Sequence, residues 1–284
     1  MFLTIKLKNA VCILLGISVI FFMTFALADS IEKKDGIELP ILMYHSILKD
    51  NSASPKYIVT PSRLEEDLKY LKQNGYEAVT IQDLIDYTQS GKKLPEKPIM
   101  LTFDDGYYNN YYYAYPLIKK YNMKMVISVV GKFTDTFSET DDSNPNYSHL
   151  TWTQIDEMQK SGVVEIQNHT YNLHSSSGRM GCKKLKNESV EEYEKLLTDD
   201  LTKLQKKLAQ QTGKSPSAFT YPFGGVSNAS YDIIKKLGFK ASLSCSEGVN
   251  KITRDGECLY MLKRFIRTSD LSSEEYFKKI LTSN

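Results

Sequence analysis

The stretch KPIMLTFDDGYYNNYYYAYPLIKKY, Lys97–Tyr121, decides the fold, because a strand and a helix meet there at two charged residues. An apolar run, Ile99–Phe103, ends at the adjacent carboxylates of Asp104 and Asp105, which Gly106 follows. A carboxylate that enters a core without a partner must lose its hydration or take up a proton. One Asp at a strand-to-helix turn could cap the helix, but capping requires only one. The pair therefore requires partners at the end of this strand.

The same strand–helix unit repeats along the chain beyond Ser30, without internal repeats or low-complexity tracts. A helix is predicted to begin at Ser62, with Ser62 and Glu65 as a capping box, and another at Ser189, capped with Glu192. Strands are predicted at LPILMYHS, YEAVTI, PIMLTF, MKMVISVVG, VVEIQNH, SAFTYPFG and FKASLSCS. Repeated units of this kind predict an α/β fold with a parallel sheet that closes into a barrel.

Polar residues follow several of the predicted strands at the point where each strand ends. They are His45, the Asp104–Asp105 pair, His169 and the segment Tyr221–Gly224. In barrels of parallel strands, the loops after the carboxyl ends of the strands carry the active site. The sequence therefore predicts that these residues share one rim of the barrel.

The N-terminal residues resemble an export segment. Two lysines precede an uncharged run, Ala10–Ala28, that closes on the small-x-small sequence Ala-Leu-Ala typical of a signal peptidase site. About 19 apolar residues are also enough to span a bilayer. We interpret residues 1–28 as a signal peptide cleaved after Ala28, or as an uncleaved membrane anchor. Residues 29–284 are then a single domain outside the cytoplasm, extracellular or at the cell surface.

Charge and cysteine content restrict the partners. Removing Lys6 and Lys8 with the export segment reduces 36 basic residues to 34, against 34 acidic residues. Nucleic-acid binders carry a basic excess, so we expect an uncharged substrate and no nucleic acid. We also expect the protein to be a monomer. Three cysteines remain beyond the export segment. Cys245 and Cys258 could form a disulfide, with separate thiols as the alternative.

Three motifs, in this order, resemble those of the polysaccharide deacetylase family, the NodB-type carbohydrate esterases. They are TFDDG at Thr102–Gly106, NHTYNLH at Asn168–His174 and TYPFGG at Thr220–Gly225. The similarity extends from about residue 39 to residue 266. It implies a distorted (β/α) barrel that removes N- or O-acetyl groups from glycans with a bound metal.

The resemblance assigns different roles to the two adjacent carboxylates. Asp105, His169 and His174 would be ligands of a divalent metal. One carboxylate and two imidazoles suit zinc, with cobalt or nickel as alternatives. Asp104 would be the general base, which takes a proton from water that the cation has acidified.

The spacing of the histidines points to a subgroup. Four residues separate His169 from His174, whereas the commonest family pattern has three between its histidines. A regular helix would turn the second histidine away, so a loop or bulged turn must bring the two together. The longer spacing and the pair Tyr44-His45 resemble the subgroup that acts on poly-N-acetylglucosamine. We therefore expect a metal-dependent N-deacetylase whose substrate is an N-acetylated glycan.

The third motif departs from the family pattern. Thr220 stands where family members often have an Arg that orients the base, and Phe223 replaces a Tyr. The backbone N–H of Phe223 remains available to stabilise an oxyanion. Arg264 or Lys263 could supply the missing positive charge to Asp104.

The general acid of the family, a late histidine in a Leu-x-His sequence, has no counterpart here. His45 is the candidate by position, while His149 is interpreted as structural, and Asp104 could also carry the proton by itself. Aromatic faces stack on sugar rings. Substrate contacts are assigned to Tyr107, Tyr221, Pro222 and Arg264.

Two other functions fit the same residues. One is a glycan-binding member without turnover, suggested by the missing Arg and the missing late histidine. The other is a metal hydrolase that acts on a different amide or ester. Metal content and acetate release would distinguish these hypotheses, and the glycan could be poly-N-acetylglucosamine, peptidoglycan or a chitin oligomer.

Overall fold

The computed structural model describes residues 18, 36–50, 54 and 56–281, and the described residues from 38 onward form one compact unit. The predicted export segment, residues 1–28, lies outside the described residues apart from residue 18. Within the described ranges, no helix combines the length and the apolar character needed to cross a membrane.

Twelve short strands are present among the described residues. They are β1 (Ile37–Leu39), β2 (Ile41–Tyr44), β3 (Ser46–Ile47), β4 (Ile58–Val59), β5 (Glu77–Ala78), β6 (Pro98–Phe103), β7 (Met125–Val129), β8 (Val164–Asn168), β9 (Ala218–Thr220), β10 (Ala241–Leu243), β11 (Asn250–Ile252) and β12 (Phe265–Ile266).

The α-helices alternate with these strands. They are α1 (Pro61–Gln73), α2 (Ile81–Ser90), α3 (Tyr115–Lys120), α4 (Gly131–Thr140), α5 (Trp152–Lys160), α6 (Val190–Thr212), α7 (Asn228–Lys236) and α8 (Ser273–Leu281). A π-helical turn, Asn110–Ala114, leads into α3. Shorter 3-10 turns lie at Pro222–Gly224 and Gly256–Leu259.

The main sheet is parallel and curls into a distorted barrel. Its strand order is β10-β9-β8-β7-β6-β2-β12, and β5 pairs with β6. One short segment joins the two ends of this order: Leu262 forms a parallel bridge with Leu243, and Phe265 pairs with Leu42. The prediction of an α/β fold with a distorted barrel is confirmed.

Hydrophobic residues fill the space between the sheet and its helices. The larger cluster packs β2, β6, β7 and β8 against helices that include α1 and α8, and a second cluster packs β9 against α6 and α7. The barrel interior is more polar. Ser128 of β7 and Thr220 of β9 are two strands apart, and their hydroxyls lie 2.7 Å from each other.

Local signals predicted one helix start correctly and another incorrectly. Helix α6 begins after Ser189, which forms the predicted capping box with Glu192. Helix α1 begins one residue before Ser62, because Pro61 suits the first helical position and Thr60 caps it by accepting from the N–H of Arg63. The predicted capping box at Ser62 is therefore wrong.

The three cysteines among the described residues do not form a disulfide. Cys182, Cys245 and Cys258 are all free thiols, so the possible bridge between Cys245 and Cys258 is absent. Cys182 is buried and donates to the carbonyl oxygen of Gly225, 3.3 Å away.

Candidate metal centre and active site

The first carboxylate of the pair, Asp104, is held by Arg264. The guanidinium donates two parallel hydrogen bonds, Nη1 to Oδ1 at 2.7 Å and Nη2 to Oδ2 at 2.8 Å. Both side chains are almost completely enclosed, Asp104 at 2% exposure and Arg264 at 0%. Such a bidentate pair fixes the plane of the carboxylate as well as its charge. Burial by itself would raise the pKa of Asp104, but Arg264 and then His169 keep that pKa below its usual range.

Arg264 is itself fixed by the barrel. Its Nε donates to the carbonyl of Ser244 at 2.8 Å, and Nη1 also donates to the Thr102 hydroxyl at 3.1 Å. The Thr102 hydroxyl in turn donates to the carbonyl of Leu42. The alternative partner, Lys263, is exposed. Arg264 therefore supplies the positive charge that Thr220 cannot.

The second carboxylate, Asp105, faces two histidines. His174 Nε2 lies 2.9 Å and His169 Nε2 lies 3.4 Å from Asp105 Oδ1. The three ligand atoms lie within 4.8 Å of one another, as donors around one ion would. Burial by itself would raise the pKa of Asp105, but hydrogen bonds from His169 and His174 hold it well below its usual range.

The tautomer of His169 suits metal binding. Its Nδ1 lies 2.8 Å from the carbonyl oxygen of Thr220, which can only accept. Nδ1 therefore carries a proton, and Nε2 faces Asp105, so that on loss of its own proton Nε2 would offer a lone pair to a cation held there. Metal-binding histidines usually donate their other ring N–H to a fixed acceptor in this way. The donor set thus fits a divalent cation.

The turn that carries the carboxylates has an unusual backbone. Asp105 has φ 70° and Gly106 has φ 68°, both in the left-handed region. A Cβ at position 106 would lie 2.9 Å from Val129 Cγ1, so glycine is also required by space. His149 stabilises the turn, because its Nδ1 donates to the carbonyl of Asp105 at 3.0 Å.

His149 therefore also contacts residues of the candidate site. Its ring stacks on Tyr107, with centroids 4.7 Å apart, and the two residues form an antiparallel bridge. Burial raises the pKa of the Tyr107 hydroxyl, and the nearby Asp105 carboxylate raises it further. The interpretation of His149 as structural did not foresee its contact with a candidate ligand, because residues 105 and 149 are distant in sequence.

His45 lies within electrostatic range of this cluster. Burial lowers the pKa of His45, while Asp104 and Asp105 oppose that effect. Its Nδ1 is buried and has no hydrogen-bond partner among the described residues. Its ring meets the exposed ring of Tyr57 edge-on, with centroids 5.0 Å apart.

The third motif contributes one residue to the rim and two to the core. Phe223 is 47% exposed, has φ 55°, and its ring lies 4.6 Å from that of His174. Pro222 is buried, and Tyr221 has 0% exposure with its hydroxyl 2.9 Å from that of Ser230. Because the Tyr221 ring lies in the second hydrophobic cluster, the structure does not support a direct contact of that ring with a glycan.

The fold and the cluster together define an α/β barrel protein with a candidate metal centre on the rim where its strands end. The comparisons with known proteins then identify the family. The profile described as "Polysaccharide deacetylase" matches residues 91–242, more than half of the chain. The chain belongs to the polysaccharide deacetylase family, which confirms the resemblance.

Relatives with names or solved structures are similar over most of this chain. A poly-beta-1,6-N-acetyl-D-glucosamine N-deacetylase of Escherichia coli K12 is 26% identical over 261 residues, which cover 85% of this chain and 38% of that protein. A Staphylococcus aureus protein of the same name is 29% identical over 72% of this chain and 71% of its own length. The structure of a de-N-acetylase from Aggregatibacter actinomycetemcomitans is 29% identical, with a TM-score of 0.71, over 85% of this chain and 100% of that chain. This chain thus spans well under half the length of the E. coli relative.

Proposed function

We propose that this protein is a metal-dependent N-deacetylase that removes acetyl groups from an N-acetylglucosamine-containing polysaccharide. The observation that carries the proposal is the convergence of Asp105, His169 and His174 next to the ionised Asp104. The names of the E. coli and S. aureus relatives support poly-β-1,6-N-acetylglucosamine as the glycan.

The chemistry is hydrolysis of an acetamide. Asp105, His169 and His174 would hold the divalent cation, for which zinc suits the donor set. When bound, the cation supplies Lewis acidity, which acidifies water and polarises an amide carbonyl. Water adds a C–O bond to the acetyl carbon, the C–N bond breaks, and acetate and a free amine leave.

Asp104 is suited to accept the proton of the attacking water. Each of its oxygens has two lone pairs and gives one to Arg264, so the carboxylate can still accept a further hydrogen bond. Arg264 keeps it ionised at neutral pH. The backbone N–H of Phe223, on the turn beside His174, would stabilise the developing oxyanion.

The bidentate Arg264 pair also weighs against a glycan-binding member without turnover. That alternative was suggested by the missing Arg at position 220. Arg264, in the segment just before β12, supplies a positive charge to Asp104, so the departure at Thr220 does not remove the partner of the base.

Acetate release is the direct test of the proposed function. The purified protein would be assayed with zinc on poly-β-1,6-N-acetylglucosamine, chitin oligomers and peptidoglycan, with cobalt and nickel as alternative metals. Metal-dependent acetate release from the first glycan supports the proposal. Metal binding without release from any of them would favour glycan binding, and release only from simple amides or esters would favour the other hydrolase.

His45 is proposed as the general acid that protonates the leaving amine. We expect His45→Ala to lower the deacetylation rate more for an acetamide than for an aryl acetate, because a phenolate leaves without a proton. Both rates are measured on one preparation whose metal content matches wild type. Equal losses on the two substrates would contradict the acid role and leave His45 as a structural or binding residue.

Export is proposed from the apolar segment at residues 1–28. We expect fractionation of the producing cells to find the protein outside the cytoplasm, with Asp29 as its first residue if the segment is cleaved. N-terminal sequencing distinguishes a cleaved signal peptide from a retained anchor. Recovery of the intact chain from the soluble cytosol would contradict export.

A further inference from the structure

The loop between the two histidine ligands, residues 170–173, has an irregular backbone. Thr170 has φ 74°, a left-handed conformation that is uncommon for a β-branched residue. The loop must hold this conformation, because the five-residue step from His169 to His174 brings both imidazoles to Asp105. Its stability therefore depends on neighbouring groups.

Two backbone N–H groups of the loop point at one carboxylate. The N–H of Tyr171 donates to Asp200 Oδ1 at 2.7 Å, and the N–H of Asn172 donates to Asp200 Oδ2 at 2.8 Å. Asp200 lies on α6 and is partly buried. A carboxylate that accepts one bond at each oxygen fixes the orientation of both peptide units.

Other backbone groups of the loop are also hydrogen-bonded. The carbonyls of Thr170 and Tyr171 accept from the N–H groups of Gly131 and Lys132 at the start of α4. Asn168 accepts from the N–H of Thr170 at 2.8 Å and donates to the carbonyl of Leu201, next to Asp200. The loop is thus held between α4 and one turn of α6. Asp200 accepts from its backbone N–H groups, whereas Asp135 of α4 accepts from the Tyr171 hydroxyl at 2.8 Å.

We propose that Asp200 is a positioning residue of the metal centre. Its carboxylate holds the loop in the conformation that directs His174 Nε2 toward Asp105. Asp200 is not a catalytic residue, because it bonds only to the backbone of the loop. The inference rests on the proposed metal-dependent function, since it concerns how the ligands of that metal are placed.

Asp200→Asn tests the inference in the full-length protein. The amide offers one acceptor oxygen and places an NH₂ group against the other N–H, so one loop bond is lost. We expect the dissociation constant for zinc, measured by competition with a chromogenic chelator, to rise by about 10–100-fold, the range found when outer-shell partners are removed. Saturating zinc should restore most of the turnover.

Asp199→Asn is the matched control. Asp199 is the neighbouring residue on α6, but it is exposed and pairs with Lys195. We expect this variant to bind zinc as wild type does. Asp200→Glu provides a second variant, because it keeps the charge and moves the oxygens by one methylene, and we expect its affinity to lie between those of wild type and Asp200→Asn.

The outcomes separate the inference from the function on which it rests. Wild-type zinc affinity in Asp200→Asn, or in Asp200→Glu should the Asn variant fail to fold, would overturn the role of Asp200 alone. A wild-type protein that binds no divalent metal would overturn the proposed function instead. Weakened binding in Asp199→Asn as well would show a general effect of charge on α6 and would also overturn the inference.

Discussion

Asp104→Asn is expected to lower turnover by about 10²–10⁴-fold, the range typical of losing a general base. The amide cannot accept the proton of the attacking water. Metal content should stay near that of wild type, because the cation would be held by Asp105, His169 and His174. Acetate release and metal content are measured on the same sample.

The control for this variant concerns Arg264. An amide nitrogen at position 104 would face one guanidinium nitrogen, which costs stability in a buried pair. Thermal unfolding of the variant must therefore be recorded beside its rate. A folded, metal-loaded Asp104→Asn protein that turns over at the wild-type rate would exclude the mechanism.

Loss of the ligands should abolish metal binding and activity together. We expect alanine at either His169 or His174 to weaken metal binding by about tenfold or more, and the double variant to lose the metal. Asp105→Asn should behave similarly, since a neutral amide is a poorer ligand than a carboxylate. Metal analysis after dialysis, followed by acetate release, checks both expectations.

Asp104→Asn and His45→Ala serve as internal controls, because both should keep the metal. Asp104→Asn and Asp105→Asn are the same chemical change at adjacent positions, yet only the second should lose the metal. His45→Ala removes a histidine outside the three-residue cluster, so this variant should still bind the metal. Full metal content in the His169→Ala, His174→Ala double variant would show that these histidines are not the metal ligands.

The rim of the barrel could be predicted from sequence because strand ends are local signals. An apolar run that stops at charged residues marks the end of a buried strand, and parallel strands end at one edge. This reasoning placed Asp104, Asp105 and His169 together. The loop that carries His174 required the structure, because its conformation depends on α4 and α6.

The partner of Asp104 could not be chosen from sequence. Lys263 and Arg264 are adjacent, and the strand that follows them, Phe265–Ile266, is too short for its alternation to be recognised. Only the pairing of this segment with β2 and β10 shows that Arg264 enters the barrel. The burial of Tyr221 could not be predicted from the sequence for a similar reason, because the residues that surround it come from α6 and α7.

The left-handed residues of the rim limit how this protein could be made more stable. Among the described residues, six that are not glycine have positive φ, and three of them are Asp105, Thr170 and Phe223. Such conformations cost about 1–3 kcal/mol each, whereas a whole domain is stable by about 5–15 kcal/mol. Substitutions that relieve this backbone strain would also free the loops that orient the metal-binding side chains. Gains in thermostability should therefore be sought in the helices and the core, with the rim loops left as they are.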